Sequence, residues 1–171
     1  MFDVDKTEII KEFDINILIE NMNWNIGVIV GSSGSGKTTI AKEVFKDYLL
    51  FDGFEWDNTK TIIDNFDDKF TPKEITEILS KVGFSSPPDW LKPFNVLSNG
   101  QKMRVELAKL LIENDKPVLY DEFTSVVDRQ VEQVGSFAIQ KYVKKENKQF
   151  IAISCHDDII DWLEPDWVYH T

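Results

Sequence analysis

Apolar residues along this chain gather into short continuous runs at Ile15–Ile19, Ile26–Val30, Pro117–Tyr120 and Phe150–Ser154. A weaker run covers Thr61–Ile63, and a last one lies at Trp167–Tyr169. Runs of this length read as strands buried on both faces. Between them, apolar residues recur every three or four positions over Thr38–Leu50, Thr71–Val82, Ser98–Asn114 and Arg129–Asn147, which predicts helices. Strands alternating with helices of this length imply an α/β fold, with a mostly parallel central sheet and helices on both faces. Pro87-Pro88 ends any helix in the turn-rich stretch Gly83–Trp90. There is no internal repeat or charged linker, so one compact domain spanning residues 1–171 is expected.

The connection after Ile26–Val30 carries the first chemistry. Gly31-Ser32-Ser33-Gly34-Ser35-Gly36-Lys37-Thr38, followed by Thr39, fits G-x-x-x-x-G-K-[ST], the P-loop. Such a loop turns its backbone N–H groups inward around phosphates. Lys37 is placed to reach the β- and γ-phosphates, and the Thr38 hydroxyl to ligand Mg²⁺. A strand precedes the loop and a helix N-terminus follows it, which points partial positive charge at an anion. Further on, Val118-Leu119-Tyr120-Asp121-Glu122 puts two carboxylates at the C-terminal end of a buried strand, where open α/β sheets bind ligands. Asp121 suits Mg²⁺, directly or through water, and Glu122 suits the activation of an attacking water. Leu97-Ser98-Asn99-Gly100-Gln101 opens the third helix, with Ser98 as its N-cap, a second anion-ready helix terminus.

Composition narrows the partners. The net charge of −11 disfavours sequence-independent nucleic-acid binding, which needs an excess of Lys and Arg. The basic stretch Lys141–Lys148 reads as the solvated end of a helix. No run of about 18 apolar residues is present, so no membrane span is expected. The acidic start Met1–Lys6 lacks the order of a signal peptide. A single cysteine, Cys155, fits a reducing cytoplasm and is read as a small buried strand residue.

The ordered set resembles the ATP-binding-cassette (ABC) ATPases. Leu97–Gln101 is similar to their L-S-G-G-Q signature, Asp121-Glu122 to their Walker B strand and catalytic glutamate, and Ser125-Val126-Val127-Asp128 to their D-loop. His156 stands at the place of their switch histidine. The resemblance spans Ile26 to His156. It implies ATP and Mg²⁺ as ligands and hydrolysis in an ATP-dependent head-to-tail homodimer. Each nucleotide would lie between one P-loop and the Ser98, Asn99, Gly100 and Gln101 of the partner copy. Lys37, Glu122 and His156 would act on the γ-phosphate and its water, and Asp128 would link the two sites. The wording around these motifs is similar to a small stand-alone group from archaea and bacteriophages, sometimes associated with acetyltransferase-like domains.

Two departures stand out. Asn99 replaces the second signature glycine. If the backbone there needs positive φ, Asn is the least costly substitute, and its amide adds a donor toward the phosphate. No glutamine lies between Lys37 and the signature, so the family's Q-loop role falls to another residue. Asp64, after the strand-like Thr61–Ile63, is the candidate metal ligand, with Asn65 second. Phe13 is the candidate adenine-stacking aromatic, although a core Phe is the better reading of it, and Trp24 lies close to the P-loop but fits packing under the sheet equally well. The helical insert, residues 64–96, holds one helix, shorter than the coupling region of transporter subunits. The expected function is therefore a soluble cytoplasmic ATPase that switches a protein partner. The alternatives are the motor subunit of a membrane transporter and a nucleic-acid maintenance ATPase.

Overall fold

The computed structural model describes residues 22–123, 125 and 127–171. The expected strand Ile15–Ile19, Phe13 and the start Met1–Lys6 lie outside the described residues. Among the described residues, five parallel strands form one sheet in the order β2-β3-β4-β1-β5: β1 Ile26–Val30, β2 Leu49–Phe51, β3 Val118–Tyr120, β4 Phe150–Ser154 and β5 Trp167–His170. The two apolar pentapeptides, β1 and β4, pair centrally and are buried at every position, because helices cover both faces of a parallel sheet.

Alternation along these strands sorts the core into two layers. Ile26, Val28, Phe150 and Ala152 face helices α2 Pro72–Lys81, α4 Asn99–Glu113, α5 Arg129–Lys145 and α6 Asp158–Leu163. Ile29, Leu119, Ile151 and Ile153 face α1 Lys37–Val44 and the aromatic residues Trp24 and Phe45. A short helix, α3 Pro87–Trp90, fills the turn-rich stretch. Gly27 is set by this packing. A Cβ there would lie 2.0 Å from the indole of Trp167, its partner across the β1–β5 ladder.

Two expectations fail between α1 and α2. The first helix stops at Val44, well short of Leu50. Phe45 and Tyr48 turn onto the lower sheet face beside Trp24 and Trp167, and Leu49–Phe51 pairs with β3 as the edge strand. Thr61–Ile63 is not a strand. Ile62 is fully buried and Ile63–Asn65 is a 3-10 turn held against the α2 side. One device ties this loop down. The ammonium of Lys109 on α4 lies 5.2 Å from the ring of Phe66, 5.5 Å from Phe54 and 5.6 Å from Trp56. It donates to the Asn65 carbonyl at 2.5 Å and to Glu113 at 2.9 Å.

The later helices match their sequence signals. Thr71, Pro72 and Glu74 close a capping box at the start of α2. Helix α4 crosses α5 closely through two glycines. A Cβ on Gly100 would meet Val131 at 2.9 Å, and one on Gly135 would meet Met103 at 3.1 Å. Among the described residues no helix is long and apolar enough to cross a membrane.

Candidate functional site

The C-terminal ends of β1, β3 and β4 meet at a cavity of about 410 Å³. Gly34 and Gly36 turn the P-loop through left-handed backbone, φ 78° and 96°, which only glycine adopts cheaply. Gly36 then N-caps α1. Lys37 Nζ donates to the carbonyls of Gly31 and Ser32 at 2.8 Å each, lying across the loop. The cavity wall includes Ser33, Gly34, Gly36, Lys37, Thr38 and Thr39. The far end of the chain braces this loop, a contact that no local sequence signal carries. The Ser35 and Thr171 hydroxyls are hydrogen-bonded, and Thr171 N–H donates to Val30 O at 3.0 Å.

Across the cavity, Thr38 Oγ1 donates to Asp121 Oδ2 at 2.8 Å. A hydroxyl and a carboxylate in contact suit a hard cation such as Mg²⁺, which accepts oxygen donors and keeps waters and phosphate oxygens as its other ligands. Among the described residues no cluster of three or more His, Cys, Asp or Glu side chains exists to hold a metal unaided. Thr38 and Asp121 would therefore hold it together with phosphate. Glu122 is exposed on the same wall, with φ 49°. That conformation costs roughly 1–2 kcal/mol for a non-glycine residue. It is fixed from both sides: Glu122 N–H donates to Asp121 Oδ1 at 2.9 Å, and Phe123 N–H donates to Ile153 O at 3.0 Å. Phe123 is fully buried against Tyr120 and Phe150, so the strand end behind the carboxylates is anchored by rings.

Just past β4, His156 is exposed and lines neither cavity; its N–H donates to the Ser154 hydroxyl at 3.0 Å. Cys155 is exposed and lines the P-loop cavity, contrary to the expected buried position. The inward and outward alternation of β4 ends at Ser154, one residue earlier.

The signature segment lies elsewhere in the chain. Ser98 caps α4 by accepting from Gln101 N–H at 3.3 Å, and the Gln101 side chain accepts from Ser98 N–H at 3.0 Å. Asn99 is the first residue of the helix and is absent from the positive-φ residues, so the backbone argument for Asn there does not hold. It lines a second cavity of about 470 Å³, together with Lys102, Glu106, Asp121 and Glu122. Ser98, Gly100 and Gln101 line neither cavity. Within one chain, then, Asn99 shares a cavity with Asp121 and Glu122, but none of Ser98–Gln101 lines the P-loop cavity. Asp128 caps α5, accepting from Gln130 and Val131 N–H groups at 3.0 and 3.1 Å. Val126, inside the expected D-loop, lies outside the described residues.

Asp64 is not part of this site. Its carboxylate accepts from the Thr61 hydroxyl at 2.7 Å within the 3-10 turn, and Asn65 donates to the loop carbonyls of Asp57 and Thr61. Neither lines either cavity. The residue that does is Asp52, which sequence reading missed. The β2–β3 register pairs Phe51 with Tyr120, so Asp52 and Asp121 leave the sheet side by side. The only cue was Leu49-Leu50-Phe51 ahead of Asp52-Gly53, which helical spacing masked. Burial raises the pKa of Glu106 above its ordinary 4.5 and, in the same wall, pushes the Tyr120 hydroxyl well above its usual range. Trp24 is buried and stacks on Tyr48, 6.3 Å between centroids, as the packing reading expected.

The family model described as "ABC transporter" matches residues 48–125, from β2 through the Asp121-Glu122 strand end. Over that segment the chain is similar to ABC transporter ATP-binding domains. It is 28% identical to "Energy-coupling factor transporter ATP-binding protein EcfA" of Aster yellows witches'-broom phytoplasma, over 84% of this chain and 64% of that protein. It is 27% identical to "Methionine import ATP-binding protein MetN" of Clostridium tetani, over 82% of this chain and 56% of that protein. The chain thus spans under two thirds of the length of these relatives. Among solved structures, a bacterial Atm1-family ABC exporter with ATP bound superposes with TM-score 0.63 at 21% identity, covering 80% of this chain and 30% of that one. The dimeric structure of MJ0796, a bacterial ABC transporter cassette, superposes with TM-score 0.62 at 19% identity, covering 81% and 78%. These two show the fold of the ABC cassette in this chain.

Proposed function

We propose that this chain is an ABC-type ATPase domain that binds Mg²⁺-ATP through Gly31–Thr39 and hydrolyses it in a head-to-tail pair, as the ATP-driven subunit of a membrane transporter. The observation that carries the chemistry is the 2.8 Å contact of Thr38 Oγ1 with Asp121 Oδ2, with Glu122 beside it on the cavity wall. P-loop N–H groups and Lys37 bind the phosphates, and Thr38 and Asp121 would hold the cation, which would offset phosphate negative charge. Glu122 orients a water and takes its proton as the oxygen bonds to the γ-phosphorus. The bond to the β–γ bridging oxygen breaks, leaving ADP and phosphate. His156 holds the γ-phosphate side of that water. Asp52, beside Asp121, takes the part first given to Asp64, coupling the water and cation to a partner.

Most of the catalytic effect in such a site is positioning and charge stabilisation. A single chain leaves the γ-phosphate side open, since Ser98, Gly100 and Gln101 lie away from its own P-loop cavity. A second copy would supply them, together with the Asn99 amide and the α4 N-terminus. The transporter setting is supported by the names of the EcfA and MetN relatives. The insert supports a second reading, a stand-alone switch of the archaeal and phage type acting on a soluble protein. Between the loop and the signature it holds α2, the four-residue α3 and the 3-10 turn Phe94–Val96.

The test is light scattering of Glu122→Gln with and without Mg²⁺-ATP, alongside phosphate release by the unsubstituted protein. Mass is expected to double only with Mg²⁺-ATP. A variant that binds ATP and stays monomeric would remove the homodimer from the proposal. In the native host, the transporter reading expects the chain in a membrane fraction released by detergent. A chain found wholly in the soluble fraction favours the switch.

A further inference from the structure

Far from the nucleotide cavities, the end of α2 and the C-terminal halves of α4 and α5 enclose a cleft of about 350 Å³. Leu111 in its wall is twelve residues along α4 from Asn99, about 18 Å on helical rise. The floor is apolar, made by Ile78 of α2 and Val82 at its C-cap, Leu111 of α4 and Ala138 of α5. Val134, one turn before Ala138 on α5, and Phe137, directly before it, are apolar residues each 39% exposed.

The rim is cationic. Lys81, Lys141 and Lys145 surround the floor on a chain whose net charge is −11. Among the described residues neither Lys81 nor Lys141 has an ion-pair partner, while Lys145 has only the exposed Glu146 at 3.5 Å. A favourable helix dipole accounts for Lys81 and Lys145 in the last turns of α2 and α5, yet not for Lys141. Lys141 and Lys145 are also like charges four apart on one helix face, an arrangement that costs a few tenths of a kcal/mol in an isolated helix. Local helix stability therefore does not explain this rim.

We propose that the cleft docks an acidic amphipathic helix of a protein partner. Two or three aliphatic side chains at i, i+3/i+4 and i+7 would enter the apolar floor, and flanking Asp or Glu would pair with Lys81, Lys141 and Lys145. The volume lies at the low end for ligand pockets, about 300–1,000 Å³, which suits a few anchoring side chains. A membrane is a poorer occupant, because the surface is concave and the acidic chain is repelled by an anionic leaflet. Nucleic acid is poorer too, since three lysines around an apolar floor neutralise few phosphates.

The probe is a displayed library of 16-residue helices, selected on the full chain and counter-selected on Ala138→Trp, which fills the floor without changing charge. Enriched peptides are expected to be acidic with apolar residues at i, i+3/i+4 and i+7. Their Kd is expected to weaken at least tenfold on Ala138→Trp and on the double variant Lys81→Glu/Lys141→Glu, and to weaken with salt on the unsubstituted chain. Circular dichroism of both variants checks the fold; the charge variant leaves the floor intact if the tryptophan does not pack. Enrichment that does not differ between the unsubstituted chain and Ala138→Trp, or enriched peptides that are basic or neutral, overturns the proposal. Co-sedimentation with phosphatidylglycerol vesicles, lost in the charge variant, overturns it in favour of a lipid surface.

Discussion

Replacing Lys109 by methionine removes a charge that is 9% exposed and keeps the aliphatic stem that fills the space between Phe54, Trp56 and Phe66. Three interactions go with the ammonium: a hydrogen bond to Asn65 O at 2.5 Å, the pair with Glu113 at 2.9 Å, and the faces of three rings. Charge-assisted hydrogen bonds contribute about 1.5–3 kcal/mol each, and partly desolvated cation–π contacts about 0.5–2. Removing one partner of a buried ion pair costs about 3–5 kcal/mol, because the other charge is stranded. Glu113 is not fully stranded, being 17% exposed and still accepting from Asp67 N–H at 2.8 Å. Methionine also keeps sulfur–aromatic contacts. The expected loss is about 2–3 kcal/mol, between that buried-pair figure and a surface pair's near-zero value. Urea unfolding followed by circular dichroism measures it, with Glu113→Gln and the double variant closing a cycle. The double variant is expected to lose less than the sum of the singles by about 1 kcal/mol or more. A Lys109→Met loss within 0.5 kcal/mol, or strict additivity, refutes the ring-and-carboxylate account of this loop.

Asp52→Ala is expected to lower steady-state ATP turnover at least tenfold, whereas Asp64→Ala stays within twofold; the reverse ranking in a phosphate-release assay would return the role to Asp64. Burial raises the folded pKa of Glu106 above its ordinary 4.5, so its stability contribution is fully present below that pH and is lost as pH rises through the raised value. Glu106→Gln should therefore unfold at higher urea than the unsubstituted chain at pH 7, with the gap closing toward pH 4; a gap that does not change with pH contradicts the burial argument.

The sequence by itself determined the central strands, the P-loop, the Asp121-Glu122 strand end, the capped start of α4 and the long α5. Each is written in residues close together in the chain. An all-apolar pentapeptide is buried on both faces, glycines permit left-handed turns, and Ser98 with Gln101 satisfies orphan N–H groups three residues away. The family resemblance rested on these same local pieces and on their order. Tertiary structure alone decided where α1 ends, because Phe45 and Tyr48 leave the helical path for the aromatic cluster at Trp167 and free Leu49–Phe51 to pair with β3. That pairing sets Asp52 beside Asp121, a neighbour 69 positions away. Asp64 looked equivalent only while Thr61–Ile63 was read as a strand. Tertiary packing likewise gathered three rings around Lys109, exposed Cys155 and brought Thr171 onto Ser35. It also ringed an apolar cleft with lysines from α2 and α5. Contacts across strands and between helices depend on register and on which faces meet, and no window of adjacent residues encodes either.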